Sequence, residues 1–316
     1  MAQQRIPAID ILKFFAVFLV MNSHMGICYL KFQFLSTGGA IGDALFFFAS
    51  GFTLFLGRDV RFDQWYKRRI NRIYPSIIAA AIVAYIVWHF EENIGDILMG
   101  KRYWFIGCIM IYYLFLYPLK KIKKDKIINW FFISWILIML VLYFTVWNGD
   151  DPIYAGGLYR SLAFFLFMLQ GAIMGKRSQM FTCKWWHLPS FIFVTGLWFC
   201  LVHMRIGIAL FFSLLPLLYI TYSLYCICNS NFLVKIYNTR YFGGFVYIVS
   251  QLCLEVYLIQ KFVFTDALNN LFPFNILVIM LVVIVMAYLT KTLAEFISQT
   301  FRTEPYNWKG MLLYRK

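Results

Sequence analysis

Three ionisable residues lie inside the first apolar run of the chain: Asp10, Lys13 and His24. Charge is costly inside a membrane, so each such group is a functional candidate. An imidazole titrates near neutral pH and is suited to general-base work, taking a proton from a weak nucleophile such as a hydroxyl. Lys13 and His24 are eleven residues apart, which on a helix is about 16 Å of rise and about 1100° of rotation. They fall within a quarter turn of one face, a cation toward one end of the run and an imidazole toward the other. The structural alternative is a snorkelling Lys13 and a His24 hydrogen-bonded inside the bundle.

A second candidate is the run Arg68-Arg69-Ile70-Asn71-Arg72-Ile73-Tyr74-Pro75. Arg69 and Arg72 share a face on a helical turn, and two planar guanidinium forks suit a multiply charged anion such as phosphate. Pro75 suits the first turn of the helix that follows. The alternative is a topology signal beside anionic lipid. Glu255, in an otherwise apolar run that also holds Gln260, is expected to face the bundle interior. These two are about 140° apart on a helix and need not share a partner. Ser50-Gly51, in the run Asp43 to Phe52, permits close helix approach, so packing alone accounts for it. His89, His187 and His203 fall at the ends of apolar runs and read as interfacial polar residues. The seven cysteines form no C-x-x-C pair, so they read as small hydrophobes, with no disulfide framework and no metal site expected.

The elements that must carry these groups can be read from composition. Of 316 residues, 62% are hydrophobic, 21% aromatic and only 14% charged. An average soluble domain is about 45–50% apolar and about 25% charged. A soluble fold could not hide that much apolar surface. Long unbroken apolar runs also exclude a transmembrane β-barrel, whose strands alternate. The runs cover roughly 7–30, 37–56, 74–90, 104–119, 127–147, 158–175, 185–203, 206–228, 245–264 and 274–294. The expectation is an all-α polytopic membrane bundle of about ten spanning helices. It forms one membrane domain over residues 1–316, with a tail from about 295 lying along the inner surface. The first run is read as a retained span, because it holds Asp10 and Lys13, is too long for a signal peptide and lacks a small-residue cleavage site.

Lys and Arg fall asymmetrically between alternate connections. One side holds Arg5, the cluster from Arg58 to Arg72, the lysines from Lys120 to Lys126, and Lys176, Arg177 and Lys184. It also holds Lys235, Arg240, Lys291, Arg302, Lys309, Arg315 and Lys316. The other side holds only Lys31, Lys101, Arg102, Arg160, Arg205 and Lys261. By the positive-inside rule the first side is cytoplasmic and so are both termini. The net charge of +15 then reflects topology and anionic lipid. Nucleic acid is not an expected partner, since the cations sit on separated short loops.

Taken in order, the motifs resemble the acyltransferase 3 family of bacterial cell-envelope O-acyltransferases. Ile9-Asp10-Ile11-Leu12-Lys13-Phe14-Phe15-Ala16 with Asn22-Ser23-His24 is similar to the family's first-helix cation and His pattern. Phe47-Phe48-Ala49-Ser50-Gly51-Phe52 is similar to its F-F-x-x-S-G-F segment, and Arg69-Ile70-Asn71-Arg72 with Tyr74-Pro75 to its R-x-x-R loop. Trp104-Phe105-Ile106-Gly107, running on to Tyr117-Pro118, resembles its W-F span. Leu254-Glu255-Val256-Tyr257-Leu258-Ile259 resembles its late S-x-x-I-Y-L-x-H helix. Lys13 stands where Arg is commoner, Cys253 where the late motif has Ser, and Gln260 where it has His.

The resemblance implies transfer of an acyl group, usually acetyl, from cytoplasmic acyl-CoA to a hydroxyl of a cell-surface or lipid-linked glycan. In it His24 is the general base, with Glu255 as a second catalytic residue. Lys13, Arg69 and Arg72 bind acyl-CoA, and Asp10, Ser50, Trp104 and Tyr257 support the site. No bound cofactor is implied; acetyl-CoA is the donor substrate, and membrane lipid and the glycan acceptor are the other partners. The multi-pass chain is expected in a bacterial plasma membrane. Two other classes stay open from the residues alone: a transporter or flippase for a polyprenyl-linked sugar or small anion, and a structural membrane subunit.

Overall fold

The computed structural model describes residues 5–91, 93, 95–96, 103–122, 124–146, 154, 157–177, 181–204 and 206–313. Lys101, Arg102, Lys123, Arg205, Arg315 and Lys316 of the charge pattern lie outside the described residues, as does the side chain of Lys309. Each apolar run is carried by one helix or a pair, and no strand occurs among the described residues. A helix satisfies its own backbone N–H and C=O groups, which lipid cannot do for it. The helices are α1 Pro7–His24, α2 Gly39–Leu56, α3 Phe62–Trp88, α4 Trp104–Lys121, α5 Asp125–Thr145, α6 Gly157–Lys176 and α7 His187–His203. They continue with α8 Gly207–Phe212, α9 Leu214–Cys228, α10 Asn231–Tyr237, α11 Arg240–Gln251, α12 Cys253–Val263, α13 Phe274–Thr300 and α14 Trp308–Met311.

Among the described residues, seven helical segments are long and apolar enough to cross a membrane, and there is an eighth if α11 and α12 form one span bent by 78°. The other two of the ten runs are α4, which ends on Lys120 and Lys121, and the 17-residue α7. The chain is a multi-pass, all-α membrane protein. α3 departs from expectation: it starts at Phe62, so the basic run Arg68–Arg72 is helical rather than a loop and Pro75 lies well inside the helix.

Contacts group the chain into two compact units. The first comprises Met1–Leu12, Asp43–Asp59 and Tyr112–Asn238. There α2 and α6 cross backbone to backbone. A Cβ at Gly51 would lie 1.9 Å from the Met168 carbonyl oxygen, one at Gly171 2.0 Å from that of Phe48, and one at Gly175 2.5 Å from that of Phe52. Lipid gives helices no hydrophobic reason to associate, so small residues that let backbones meet decide the pairing. Arg160 on α6 donates through Nη2 to Asp43 Oδ2 on α2 at 2.8 Å and through Nη1 to the Tyr154 carbonyl at 3.1 Å. The Lys120 ammonium donates to the carbonyls of Leu54, Gly57 and Arg58 at 2.8, 2.6 and 3.2 Å, closing the C-terminal end of α2.

The second unit comprises Lys13–Gly42, Val60–Ile111 and Thr239–Lys316. Its frame is α3, α12 and α13, each packed on the other two. The second half of α1 lies close against the start of α2, where a Cβ at Gly42 would sit 2.5 Å from Val20 Cγ2 and 3.0 Å from the Ala16 carbonyl oxygen.

Candidate functional site

α1 is helical without a break from Pro7 to His24, so the spacing of Lys13 and His24 along one rod is real. His24 is its last residue and is exposed, whereas Lys13 is half-buried. The chain leaving His24 is pinned by a residue just before it, Asn22. The Asn22 amide donates to the carbonyls of Leu35 at 2.7 Å and Thr37 at 2.9 Å, its oxygen accepts from the Tyr29 hydroxyl, and Ser36 Oγ donates to its carbonyl at 3.0 Å. The turn Gly26–Tyr29 is tied further: Cys28 Sγ donates to the Thr265 carbonyl, and Asn275 Nδ2 donates to the Cys28 carbonyl at 2.8 Å. Met25, Cys28 and Tyr29 form a core with Ile279, against which Val263, Phe264 and Ile276 pack. This region therefore sits at the C-terminal end of α12 and the N-terminal end of α13.

Gln260 belongs to that end of α12. It is fully buried, and among the described residues neither its amide nitrogen nor its oxygen has a hydrogen-bond partner. A buried amide is ordinarily hydrogen-bonded, which makes Gln260 an unusual position in this core.

Glu255, five residues earlier, belongs to a different cluster. It is 1% exposed; its Oε1 accepts from Ser76 Oγ at 2.6 Å and lies 3.5 Å from Lys291 Nζ, while Oε2 has no partner among the described residues. Lys291 also meets Glu295 at 3.1 Å. Beside this cluster, still within the second unit, is a cavity of about 310 Å³. One wall is the α3 stripe Arg68, Asn71, Arg72, Pro75 and Ser76; the other is the α13 stripe Lys291, Ala294, Glu295 and Ser298, with Arg302 just beyond the helix. Both walls repeat at three and four residues, one face of a helix each. Four cations face one lining carboxylate, and Arg68 and Arg72 form no ion pair among the described residues. The arrangement suits a phosphate-bearing ligand.

Arg69 does not line this cavity. Its guanidinium lies over the buried Trp65 ring at 5.4 Å from the centroid. The expected Arg69–Arg72 pair thus splits: Arg72 joins Arg68, four residues back on the same face. The cavity and the His24 region also lie toward opposite ends of α13, since the segment after His24 meets Asn275 and the cavity begins at Lys291. Sixteen residues of helix separate them, about 24 Å. A ligand serving both needs a polyanionic end and a long thin arm.

The remaining motif residues hold the frame. Asp10, nearly buried, accepts from the Tyr237 hydroxyl at 2.7 Å. Ser50 Oγ and the Tyr113 hydroxyl are 3.1 Å apart. Tyr257 packs on Tyr103 and Phe105, with ring centroids 5.9 and 5.5 Å apart, and Tyr103 donates to the Leu258 carbonyl at 3.2 Å. The start of α4, where Trp104 lies, is thereby fixed to α12. Among the described residues no three His, Cys, Asp or Glu side chains come together as a metal site.

A family model described as an acyltransferase domain matches residues 6–293, nearly the whole chain. The chain belongs to the acyltransferase 3 family. No curated protein and no solved structure gives a significant match. The chain is therefore a membrane acyltransferase, and the matched span holds every motif named above. It takes in Lys291 but stops short of Ser298 and Arg302, which complete the cavity of this acyltransferase. In the sequence, Arg68 and Asn22 stand within longer motifs and Lys291 and Arg302 within the charge pattern, none of them with a role at the site, and Ser76 is passed over. Arg68 carries a visible signal for the cavity in its spacing of four from Arg72.

Proposed function

We propose that this acyltransferase moves an acyl group, acetyl in the first instance, from acyl-CoA to a hydroxyl of a cell-surface or lipid-linked polysaccharide in a bacterial plasma membrane. The observation that carries the reading is the cavity walled by Arg68, Arg72, Lys291 and Arg302, whose residues come from segments that the Lys/Arg pattern assigns to the cytoplasm. CoA presents phosphates at one end and a thioester at the end of a long flexible arm. The separation along α13 supports a donor of that shape.

In this reading both termini are cytoplasmic and the phosphates enter at the cavity. Lys13 lines the route and the thioester reaches His24. His24 takes the proton of the acceptor hydroxyl as its oxygen attacks the thioester carbonyl, and the C–S bond then breaks. The proton passes from the imidazolium to the departing CoA thiolate, which leaves neutral imidazole and an ester. His24 needs access to a large acceptor, and its exposure at the end of α1 supports that role.

The test is transfer of labelled acetyl from acetyl-CoA to an envelope-glycan extract by the full chain in nanodiscs. Loss of transfer in His24→Ala with CoA binding kept, and loss of CoA binding in Arg68→Ala/Arg72→Ala, is the expected result. A wild-type protein that binds no CoA and consumes no thioester would overturn the reading in favour of a transporter. The bend between α11 and α12 resembles a transporter's broken helix, although one such pair is present among the described residues where repeated halves would supply two.

A further inference from the structure

We infer that Lys291 is an anion-binding residue of the cavity and that Glu255 is its positioning residue rather than a proton-transfer group; this rests on the cavity being the donor site. Lys291 lies on the cavity-lining face of α13, one turn before Glu295 and three turns before Arg302. A lysine there has a flexible stem and needs an anchor before it can present its charge to a ligand. Two carboxylates supply it: Glu255 Oε1 from behind at 3.5 Å and Glu295 Oε1 along the helix at 3.1 Å.

Glu255 is placed for that task and poorly placed for catalysis. Its side chain is buried, one oxygen is engaged by both Ser76 and Lys291, and both of those partners line the cavity. It also lies at the cavity end of the frame, whereas His24 ends the helix whose following turn packs at the far end of α13. A buried carboxylate needs a nearby cation, so Glu255 and Lys291 hold each other. An arriving phosphate competes with Glu295, the more exposed partner, for Lys291 while Glu255 keeps the ammonium in place. The bound group then meets guanidiniums from α3 and from the end of α13 with an ammonium between them.

The experiment measures binding of adenosine 3′,5′-bisphosphate, with pantetheine as the phosphate-free control, to the full chain in phosphatidylcholine nanodiscs. Losing one charged hydrogen bond of this kind weakens binding about 10-fold to 100-fold. That loss is expected for Lys291→Met and for Arg302→Gln, whose exposed side chain leaves folding intact, and Lys291→Arg should recover most of it. Glu255→Gln should raise the acetyl-CoA KM several-fold and leave the shape of the kcat–pH profile as in wild type. Bisphosphate binding unchanged in both Lys291→Met and Arg302→Gln overturns the proposal. So does a kcat–pH profile in Glu255→Gln that loses a limb, which a proton-transfer role requires. Displacement of the bisphosphate by phosphatidylglycerol in the disc would assign the cavity to lipid headgroups and overturn the donor assignment. If the bisphosphate binds through Lys291 but no acyl transfer occurs, the anion site stands and the acyl-CoA reading alone fails.

Discussion

Arg160→Met tests whether the fold of the first unit depends on one ion pair. The side chains of Arg160 and Asp43 are 16% and 8% exposed, and their nearest atoms are 2.8 Å apart. Removing the guanidinium leaves a buried carboxylate without its cation, a change that costs about 3–5 kcal/mol. Asp43→Asn is the milder direction, because Arg160 keeps the Tyr154 carbonyl at 3.1 Å and the Phe164 ring at 5.3 Å. In the double variant neither charge is stranded, so its loss should fall short of the sum of the single losses by about 1–3 kcal/mol. Unfolding in mixed micelles of rising SDS fraction, followed by tryptophan fluorescence, measures all four proteins. A double variant within about 0.5 kcal/mol of additivity would show the two groups uncoupled and refute the argument.

The α2–α6 crossing gives a second outcome. Gly171→Val places a Cβ 2.0 Å from the Phe48 carbonyl oxygen and should abolish folded yield on size exclusion, whereas Gly107→Ala, with nothing within 4 Å among the described residues, should be neutral. A third concerns Cys28, whose thiol burial pushes above its ordinary value while the Thr265 carbonyl pulls the other way. Folding therefore favours the neutral thiol, a contribution complete below the ordinary thiol pKa and lost as pH rises through the raised one. Maleimide should label Cys183, exposed in the connection between α6 and α7, well before Cys28 at pH 8 in a mass-spectrometric time course, with the gap narrowing as pH rises. Equal labelling rates would show that Cys28 is open to solvent.

The spanning framework is legible in the sequence because lipid imposes it: an apolar run must become a helix, and each does. The start of α3 is not, since Phe62 to Arg72 is polar and basic and hydrophobicity marks only the part that needs burying. The same gap hides the choice between Arg68 and Arg69, for spacing gives every possible face and only packing picks one. Trp65 takes Arg69; Arg68 and Arg72 line the cavity shared with α13. In the sequence Lys291 and Arg302 read as topology signals, because their relation to Glu255 and to α3 is long-range. The close approach at Gly51 is visible in Ser50-Gly51, while its counterparts Gly171 and Gly175, spaced for the purpose, are masked by the apolar run around them. Nothing at Leu252, neither Pro nor Gly, announces the bend between α11 and α12.

The crossing of α2 and α6 has a consequence for how the chain is handled outside a bilayer. Its contacts are made by backbone atoms filling the space of missing side chains, not by apolar area withdrawn from water. Such contacts do not weaken when lipid is exchanged for detergent, since both surround the pair with hydrocarbon. During extraction α2 and α6 should behave as a preassembled pair that outlasts neighbours held by larger, looser side chains. Ser50 and the Asp43–Arg160 pair ride on those two helices and leave the membrane already in register.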